Sequence, residues 1–390
     1  MGYSVQVCFA TGQADANLLP ILSSNTKLEK VIMLATPTMK KNAEWFRSAL
    51  RTVVPVEIIP LKNDLDVKEI YEKLGEILPE YEGRVIFNLT GGTKLITIDT
   101  FIVCSSLDIP FFYLELQTFK LYCFEKFPLN IGNEPKIVSI GSEVMGTARY
   151  IKTFLEARGY QANKIQEWGR PTEDQRKYFD FVMQRCSEER QKKLMEGIKP
   201  LNKAASEVKE NNSSELEVPV DLTENLNWFL DEIISLDWVK FIKKTYERKG
   251  KLVFKNKEVA EFLAGGWFEL YCAGILEELN VSTKIFHGEI EKEGIKNELD
   301  AIFLLNGKLH LIEVKTSNLK IEPKARDILY KLDSLRGSIG GSSSKACVLS
   351  LEEMERNARE RAESLNIALI QGVAGRESEI KRQLKNWINQ

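Results

Sequence analysis

Histidine is nearly missing from this chain: its 390 residues include only His287 and His310. That leaves almost no room for histidine-based hydrolysis or a multi-histidine metal centre. The six cysteines (Cys8, Cys104, Cys123, Cys186, Cys272 and Cys347) are scattered and form no C-x-x-C pair. Structural zinc is therefore disfavoured, and reduced, mostly buried thiols of a cytoplasmic protein are expected. No apolar run is long enough to cross a bilayer and the N-terminus lacks a signal-peptide pattern, so no membrane association is expected. Neither charge sign dominates, with 54 Lys plus Arg against 56 Asp plus Glu. Any surface for nucleic acid must then be a local one. Internal repeats and low-complexity tracts are also lacking.

What is present is a chain with room for two or three domains, 43% hydrophobic and 28% charged, the balance of a globular protein. Residues 1–145 alternate strand-like runs, "VQVCFA" (5–10), "VIMLA" (31–35), "VEIIPL" (56–61), "RVIFNL" (84–89) and "FFYLEL" (111–116), with helical stretches such as 40–51 and 67–78. Near-continuous apolar strands separated by helices predict a mostly parallel sheet covered on both faces. Residues 146–250 read as a charged, helix-rich connector that closes on apolar residues at helical spacing over 225–250. From 251 to 390 a third pattern runs: a helix, a hairpin, further helices and a late strand at 345–350.

The hairpin, "NELDAIFLLNGKLHLIEVKTSN" (297–318), turns at Asn306-Gly307, a strong signal for a two-residue turn. The register follows: Leu305 opposes Lys308, Ile302 opposes Leu311, and Asp300 opposes Glu313. Alternation puts Asp300, Ile302, Leu304, Leu309, Leu311, Glu313 and Lys315 on one face, and Ala301, Phe303, His310, Ile312 and Val314 on the other. Two carboxylates directly across a strand pair repel, and a divalent cation between them reverses that sign. With Lys315 beside them, the set suits metal-assisted phosphodiester hydrolysis. The plainer alternative is an ordinary ion pair on a solvated strand end. Upstream, "GGWFELYCAGILEELN" (265–280) reads as a helix with Glu269 in its first turns, either complementing the helix dipole or aimed at the hairpin.

This order, a helix Glu, a strand Asp and E-x-K on the next strand, resembles the PD-(D/E)XK nuclease superfamily. The resemblance implies a restriction-endonuclease-like α/β domain. It makes Asp300 and Glu313 ligands of a divalent cation (Mn2+ or Mg2+), with the Val314 carbonyl and Glu269 as further ligands. Lys315 becomes catalytic and Glu269 auxiliary. Leu299 stands where the motif's name has proline. Downstream, Lys320, Lys324, Arg326, Lys331 and Arg336, with a small-residue loop "GSIGGSSSK" (337–345), either track a phosphate chain or make a solvated helix face.

In parallel α/β sheets ligands sit beyond the carboxyl ends of the strands. Three loops rich in small polar residues fall there: "TGQ" (11–13), "TPTMKK" (36–41) and "NLTGGTK" (88–94). The last opens a helix whose N-terminus favours an anion. It matches neither G-x-G-x-x-G nor the G-x-x-x-x-G-K-[ST] phosphate loop, so a dinucleotide cofactor or NTP hydrolysis is not indicated. "NLTGGTK" after an apolar strand resembles the CARF domain of CRISPR-associated proteins, a Rossmann-like sensor that dimerises and binds cyclic oligoadenylate. With the connector and the nuclease motif, the order resembles the CARF-fused ancillary nucleases of type III CRISPR defence, activated by cyclic tetra-adenylate. The resemblance implies a homodimer whose ring-nucleotide contacts are Thr11, Gly12, Gln13, Thr36, Thr38, Met39, Lys40, Asn88, Thr90, Gly91, Gly92, Thr93 and Lys94. Neither histidine has an arginine at R-x4–6-H spacing, which disfavours the ribonuclease version of such effectors. The expectation is thus a ligand-gated nuclease acting on nucleic acid. A non-catalytic nucleotide-sensing DNA-binding regulator, or a restriction-type nuclease gated by another nucleotide, stands as the alternative.

Overall fold

The computed structural model describes residues 2–389 apart from 24–26, 64–65, 117, 126–133, 141–146, 185–186, 211–215, 244–248, 280–283, 306–307, 317–318, 320–321, 341–343, 373 and 375. The N-terminal part is built from β1 (Val5–Phe9), α1 (Asp15–Leu22), β2 (Lys30–Ala35), α2 (Lys40–Leu50), β3 (Val56–Pro60), α3 (Val67–Ile77), β4 (Val85–Asn88), α4 (Lys94–Ser106), β5 (Phe111–Glu115), β6 (Lys120–Phe124) and β7 (Lys136–Ser139). The seven strands form one sheet in the order β3-β2-β1-β4-β5-β6-β7. β1 to β5 pair in parallel, while β6 and β7 add antiparallel. Every residue of β1 is buried because α1 and α2 cover one face of the sheet and α3 and α4 the other. Strand order reverses between β1 and β4, so the chain opens a crevice beyond their carboxyl ends.

The connector holds α5 (Ala148–Glu156), β8 (Gln166–Glu167), α6 (Glu173–Met183), α7 (Glu188–Glu210), β9 (Glu217–Asp221), α8 (Glu224–Ile233), β10 (Val239–Lys243) and β11 (Lys249–Phe254). It departs from the helical connector expected: β9, β10 and β11 form a three-stranded sheet. The helix expected over 225–250 ends near Leu236, where Asp237 takes a left-handed conformation at φ 54°. Beyond it the pattern changes period. Val239 turns into the core at 2% exposure and Ile242 faces out at 54%, the alternation of a strand.

The C-terminal part follows as α9 (Lys257–Glu261), α10 (Trp267–Glu278), β12 (Phe286–Lys292), β13 (Ile295–Leu305), β14 (Lys308–Lys315), α11 (Glu322–Gly340), β15 (Lys345–Ser350), α12 (Arg356–Ser364), β16 (Ile367–Ile370) and α13 (Glu377–Asn389). Its six-stranded sheet runs β16-β15-β14-β13-β12-β8 and so takes its last strand from the connector. A π-helical turn at Phe262–Gly266, with Gly265 at φ 148°, joins α9 to α10. By length and mean hydropathy, Lys257–Glu278 would also suit a bilayer, a match not visible as a continuous apolar run. Here Leu263, Trp267, Phe268, Cys272 and Leu276 are instead buried in a core shared with the sheet. Residues 337–340, expected in a loop, form the last turn of α11.

The connector is wedged between the two sheets. Arg158 pairs with Asp15 at 3.1 Å, and Gly159 lies so close to Trp45 that a Cβ there would meet the indole at 2.4 Å. On the other side Gln161 bridges to Glu291 and β8 pairs with β12. Lys292 lies over the rings of Trp45 and Tyr160 at 4.6 and 5.0 Å, and Lys41 pairs with Glu293.

Candidate active site and ligand loops

The hairpin register is observed as far as the pair Ala301–Ile312, with Leu305 opposite Lys308 and Ile302 opposite Leu311. Asn306 and Gly307, the expected turn, lie outside the described residues. Face alternation is observed too. Ile302, Leu304, Leu309 and Leu311 share a core with Ala325 and Leu329 of α11. Ala301, Phe303, Ile312 and Val314 share one with Cys272 and Leu276 of α10.

Beyond Ala301 the expectation needs correcting. Asp300 does not continue the ladder opposite Glu313. Instead its Oδ2 accepts the Val314 N–H at 2.7 Å and Lys315 Nζ at 3.1 Å. The same Nζ lies 2.8 Å from Glu313 Oε1. The two acids therefore meet at the lysine ammonium, which offsets part of the repulsion between them. The carboxylates are buried, with Asp300 3% and Glu313 6% exposed. Lys331 of α11 reaches within 3.9 Å of Glu313 from the solvent side. Among the other basic candidates, Arg336 turns inward to the Leu365 and Asn366 carbonyls, Arg326 and Lys324 are exposed, and Lys320 lies outside the described residues.

Glu269 stands in the first turn of α10, half-buried. Burial, then the charge of Asp300, pushes its carboxyl up to about 8, against the opposing pull of Lys315. Burial and Asp300 likewise raise Glu313. Lys315 goes up as well: burial alone would lower it, but Asp300 and Glu313 outweigh burial. Two acids thus contact one half-buried lysine and a third, Glu269, feels both Asp300 and Lys315 electrostatically, an excess of hard oxygen donors that suits a cation such as Mg2+ or Mn2+. Among the described residues no three His, Cys, Asp or Glu side chains stand close enough together to hold a metal ion as they are placed.

The acid excess carries a pH signature. The folded Glu269 carboxyl holds its proton up to about 8, whereas its ordinary value is 4.5. Between these values the folded state binds more protons than the unfolded chain, so stability is greatest at the acid end and falls as pH rises through the window. We expect the melting temperature in chelator to drop between about pH 5 and pH 8, and to drop less in Glu269→Gln. Equal slopes in the two proteins would contradict the placement of Glu269.

The ligand loops gather at the crevice between β1 and β4. A Cβ on Gly91 would lie 3.1 Å from Thr11 Cγ2, so the 11–13 and 88–94 loops pack on one another. Gly92 has φ 106°, a conformation suited to glycine. Thr93 caps α4 by accepting the Ile96 N–H, and Gly12, Gln13, Thr38, Lys40 and Lys94 are exposed. Thr11 accepts the Gln13 N–H at 3.1 Å, and the buried Thr36 hydroxyl bonds that of Thr38 at 3.1 Å; Met39 is half-buried beside them. Two side chains are turned to structural duty. Asn88 is buried and donates to the Ala16 carbonyl and Asn17, and Thr90 accepts the Leu114 N–H at 2.8 Å. The Arg158–Asp15 pair beneath these loops escaped the sequence reading because its members lie 143 positions apart.

A Rossmann-like sheet with polar loops at its switch point, joined to a mixed sheet with buried acids around a lysine, defines a ligand-binding domain fused to a nuclease-type domain. Residues 5–140 match the Card1 CARF domain and residues 256–390 the Card1-like endonuclease domain. The chain belongs with the CARF-fused endonucleases of the Card1 kind and is an endonuclease, which sets aside the non-catalytic regulator. Among solved structures it resembles Can2 from Sulfobacillus thermosulfidooxidans in complex with cyclic tetra-adenylate (TM-score 0.73, 22% identity, 99% of each chain covered). It also resembles protein VC1899 from Vibrio cholerae (TM-score 0.76, 20% identity, 99% of this chain and 98% of that one). A type III CRISPR defence DNA nuclease activated by cyclic oligoadenylate aligns at TM-score 0.56 and 15% identity, with 98% of this chain covering 52% of the other. No curated protein sequence matches significantly.

Proposed function

We propose that this chain is a cyclic tetra-adenylate-activated, metal-dependent endonuclease of type III CRISPR antiviral defence, acting in the cytoplasm as a homodimer. Residues 1–145 would sense the activator, 146–250 transmit its binding, and 251–390 cut single-stranded RNA or DNA or nick duplex DNA. The observation that carries the reading is the buried excess of acid around Lys315 at the open end of the β13–β14 pair. Asp300 and Glu313, with the Val314 carbonyl and Glu269, would hold Mn2+ or Mg2+. Bound there, the cation supplies an activated water and neutralises phosphate charge. Lys315, steered by its two carboxylates, stabilises the negative charge that develops on the phosphorus oxygens. Asp300 is kept in place by the Val314 N–H. One incubation tests the whole reading: protein, Mn2+ and labelled RNA or DNA, with and without cyclic tetra-adenylate. Cleavage that ignores the activator, or none at all with it, contradicts the proposal.

Activator contact is assigned to Thr11, Gly12, Gln13, Thr36, Thr38, Met39, Lys40, Thr90, Gly91, Gly92, Thr93 and Lys94, with Asn88 shaping the loop. A ring nucleotide with a two-fold axis suits one donor-rich surface presented twice. The surface beside these loops supports such pairing. Leu95, Ile98, Phe101 and Ile102 of α4 are 50, 56, 39 and 52% exposed, an apolar stripe on one helix face. Tyr113 of β5 and Ile137 of the edge strand β7, 49 and 56% exposed, continue it, in register through Tyr122 of β6. Ile98→Glu is expected to convert the dimer to monomer in sedimentation and to lower activation at least about tenfold. A dimer that survives this substitution places the interface elsewhere.

A further inference from the structure

Asp300 sits where the backbone pairing of β13 fails on both sides. Toward β12, the register passes from Phe286–Ile302 directly to Gly288–Leu299. His287 therefore faces two residues, Ala301 and Asp300, the arrangement of a β-bulge, which bends a strand and re-aims a side chain. Toward β14, the ladder ends at Ala301–Ile312. Two bonds replace the lost pairing. On one side the carboxylate takes the Val314 N–H at 2.7 Å. On the other, the Asp300 carbonyl accepts the indole N–H of Trp168 at 3.0 Å.

Trp168 is itself held firmly. Its own backbone N–H donates to the Ile285 carbonyl at 3.0 Å. Its ring stacks on His287, the residue opposite the bulge, with centroids 3.6 Å apart and planes 15° from parallel. Gly288 makes the approach feasible: at φ 137°, a Cβ there would stand 2.2 Å from the Lys164 carbonyl oxygen. A partly buried indole N–H facing a strand is best satisfied by an acceptor on it, and here that acceptor is the backbone of an acid already placed in the site.

We propose that Trp168, a connector residue, is a positioning residue for Asp300. Its N–H fixes the carbonyl at the bulge and so fixes the angle at which the carboxylate leaves the strand toward Val314 and Lys315. The proposal rests on the reading of Asp300 as a member of the catalytic cluster. It also gives the connector a direct hold on that cluster, since the segment bearing Trp168 is tied to the Card1-type sensor domain through Arg158 and Asp15.

The test uses the full-length dimer with activator and Mn2+, comparing Trp168→Phe with replacement of Trp168 by 3-benzothienylalanine, an isostere that keeps the ring and removes only the N–H. Both are expected to lower kcat by about ten- to a hundredfold, as loss of a residue that orients a ligand carboxylate does. KM for the nucleic acid, activator affinity and the melting temperature should stay nearly constant. Hydrogen exchange in a peptide spanning 311–316 should speed up at the Val314 amide, because the Asp300 carboxylate that accepts it is no longer held. Full activity and unchanged Val314 protection in the isostere, alongside an inactive Asp300→Ala, overturn the proposal and leave the catalytic reading standing. Should Asp300→Ala cleave normally, the catalytic reading falls, and Val314 exchange alone decides: faster exchange upholds the positioning of Asp300 and unchanged exchange overturns it.

Discussion

Glu313→Gln and Lys315→Ala are each expected to lower nucleic-acid cleavage by about a thousandfold or more, and to move stability in opposite directions. The activity loss follows from the roles proposed above: a hard oxygen ligand is lost in one variant, and in the other the cation that meets charge on the transferring phosphoryl group. The stability effects follow from charge alone. In the native site Glu313 is buried beside Asp300, and burial plus that neighbour already push its carboxyl up. Gln at 313 removes the repulsion and keeps the shape, so the melting temperature should hold or rise. Removing Lys315 leaves Asp300, Glu313 and Glu269 without the ammonium that lies 3.1 and 2.8 Å from the first two. Uncompensated buried charge costs roughly 3–5 kcal/mol, unless protons take the lysine's place. Lys315→Ala should therefore be destabilised at neutral and alkaline pH and recover toward acid. Cleavage assays with Mn2+, together with melting curves across pH, read both effects. A loss of activity with the same sign of stability change in the two variants would break the electrostatic account, because removing one of two like charges and removing the charge that compensates them must act on stability in opposite directions.

Lys94→Ala should weaken activation by cyclic tetra-adenylate about a hundredfold or more, with no change in fold. A hydrogen bond to a charged phosphate contributes about 1.5–3 kcal/mol, and a two-fold ligand loses the contact in both protomers. Lys94 is the clean probe of its loop because it is exposed at the first position of α4, where the helix dipole adds to its charge. Thr90→Val is a poorer probe, since the Thr90 hydroxyl also accepts the Leu114 N–H and its loss disturbs β5 inside the sheet. The measurement is the activator concentration that gives half-maximal cleavage, with melting temperature as the fold control. An unchanged half-maximal concentration in Lys94→Ala removes this loop from the activator site.

The legible parts of this protein were those set by local periodicity. Apolar runs at 5–10, 31–35, 84–89 and 111–116 became strands of a covered parallel sheet, which buries such runs on both faces, and the run at 56–61 became its edge strand β3, only partly buried. The register from Leu305–Lys308 to Ala301–Ile312 followed from turn length and alternation. The 225–250 segment misled because apolar spacing is ambiguous over short runs, and a left-handed residue at Asp237 was enough to restart it as a strand.

The residues themselves determined two α/β layers, a hairpin face carrying Asp300, Glu313 and Lys315, and polar loops at strand ends. Short-range sterics and side-chain alternation act within a few positions and need no partner. Folding in three dimensions decided how the charges settle: that Lys315 lies between the acids, that Glu269 joins them from another helix, and that Asp300 leaves the ladder to be held by Trp168, 132 positions away. Such contacts are long-range in sequence, and their energies depend on burial, which no local pattern encodes.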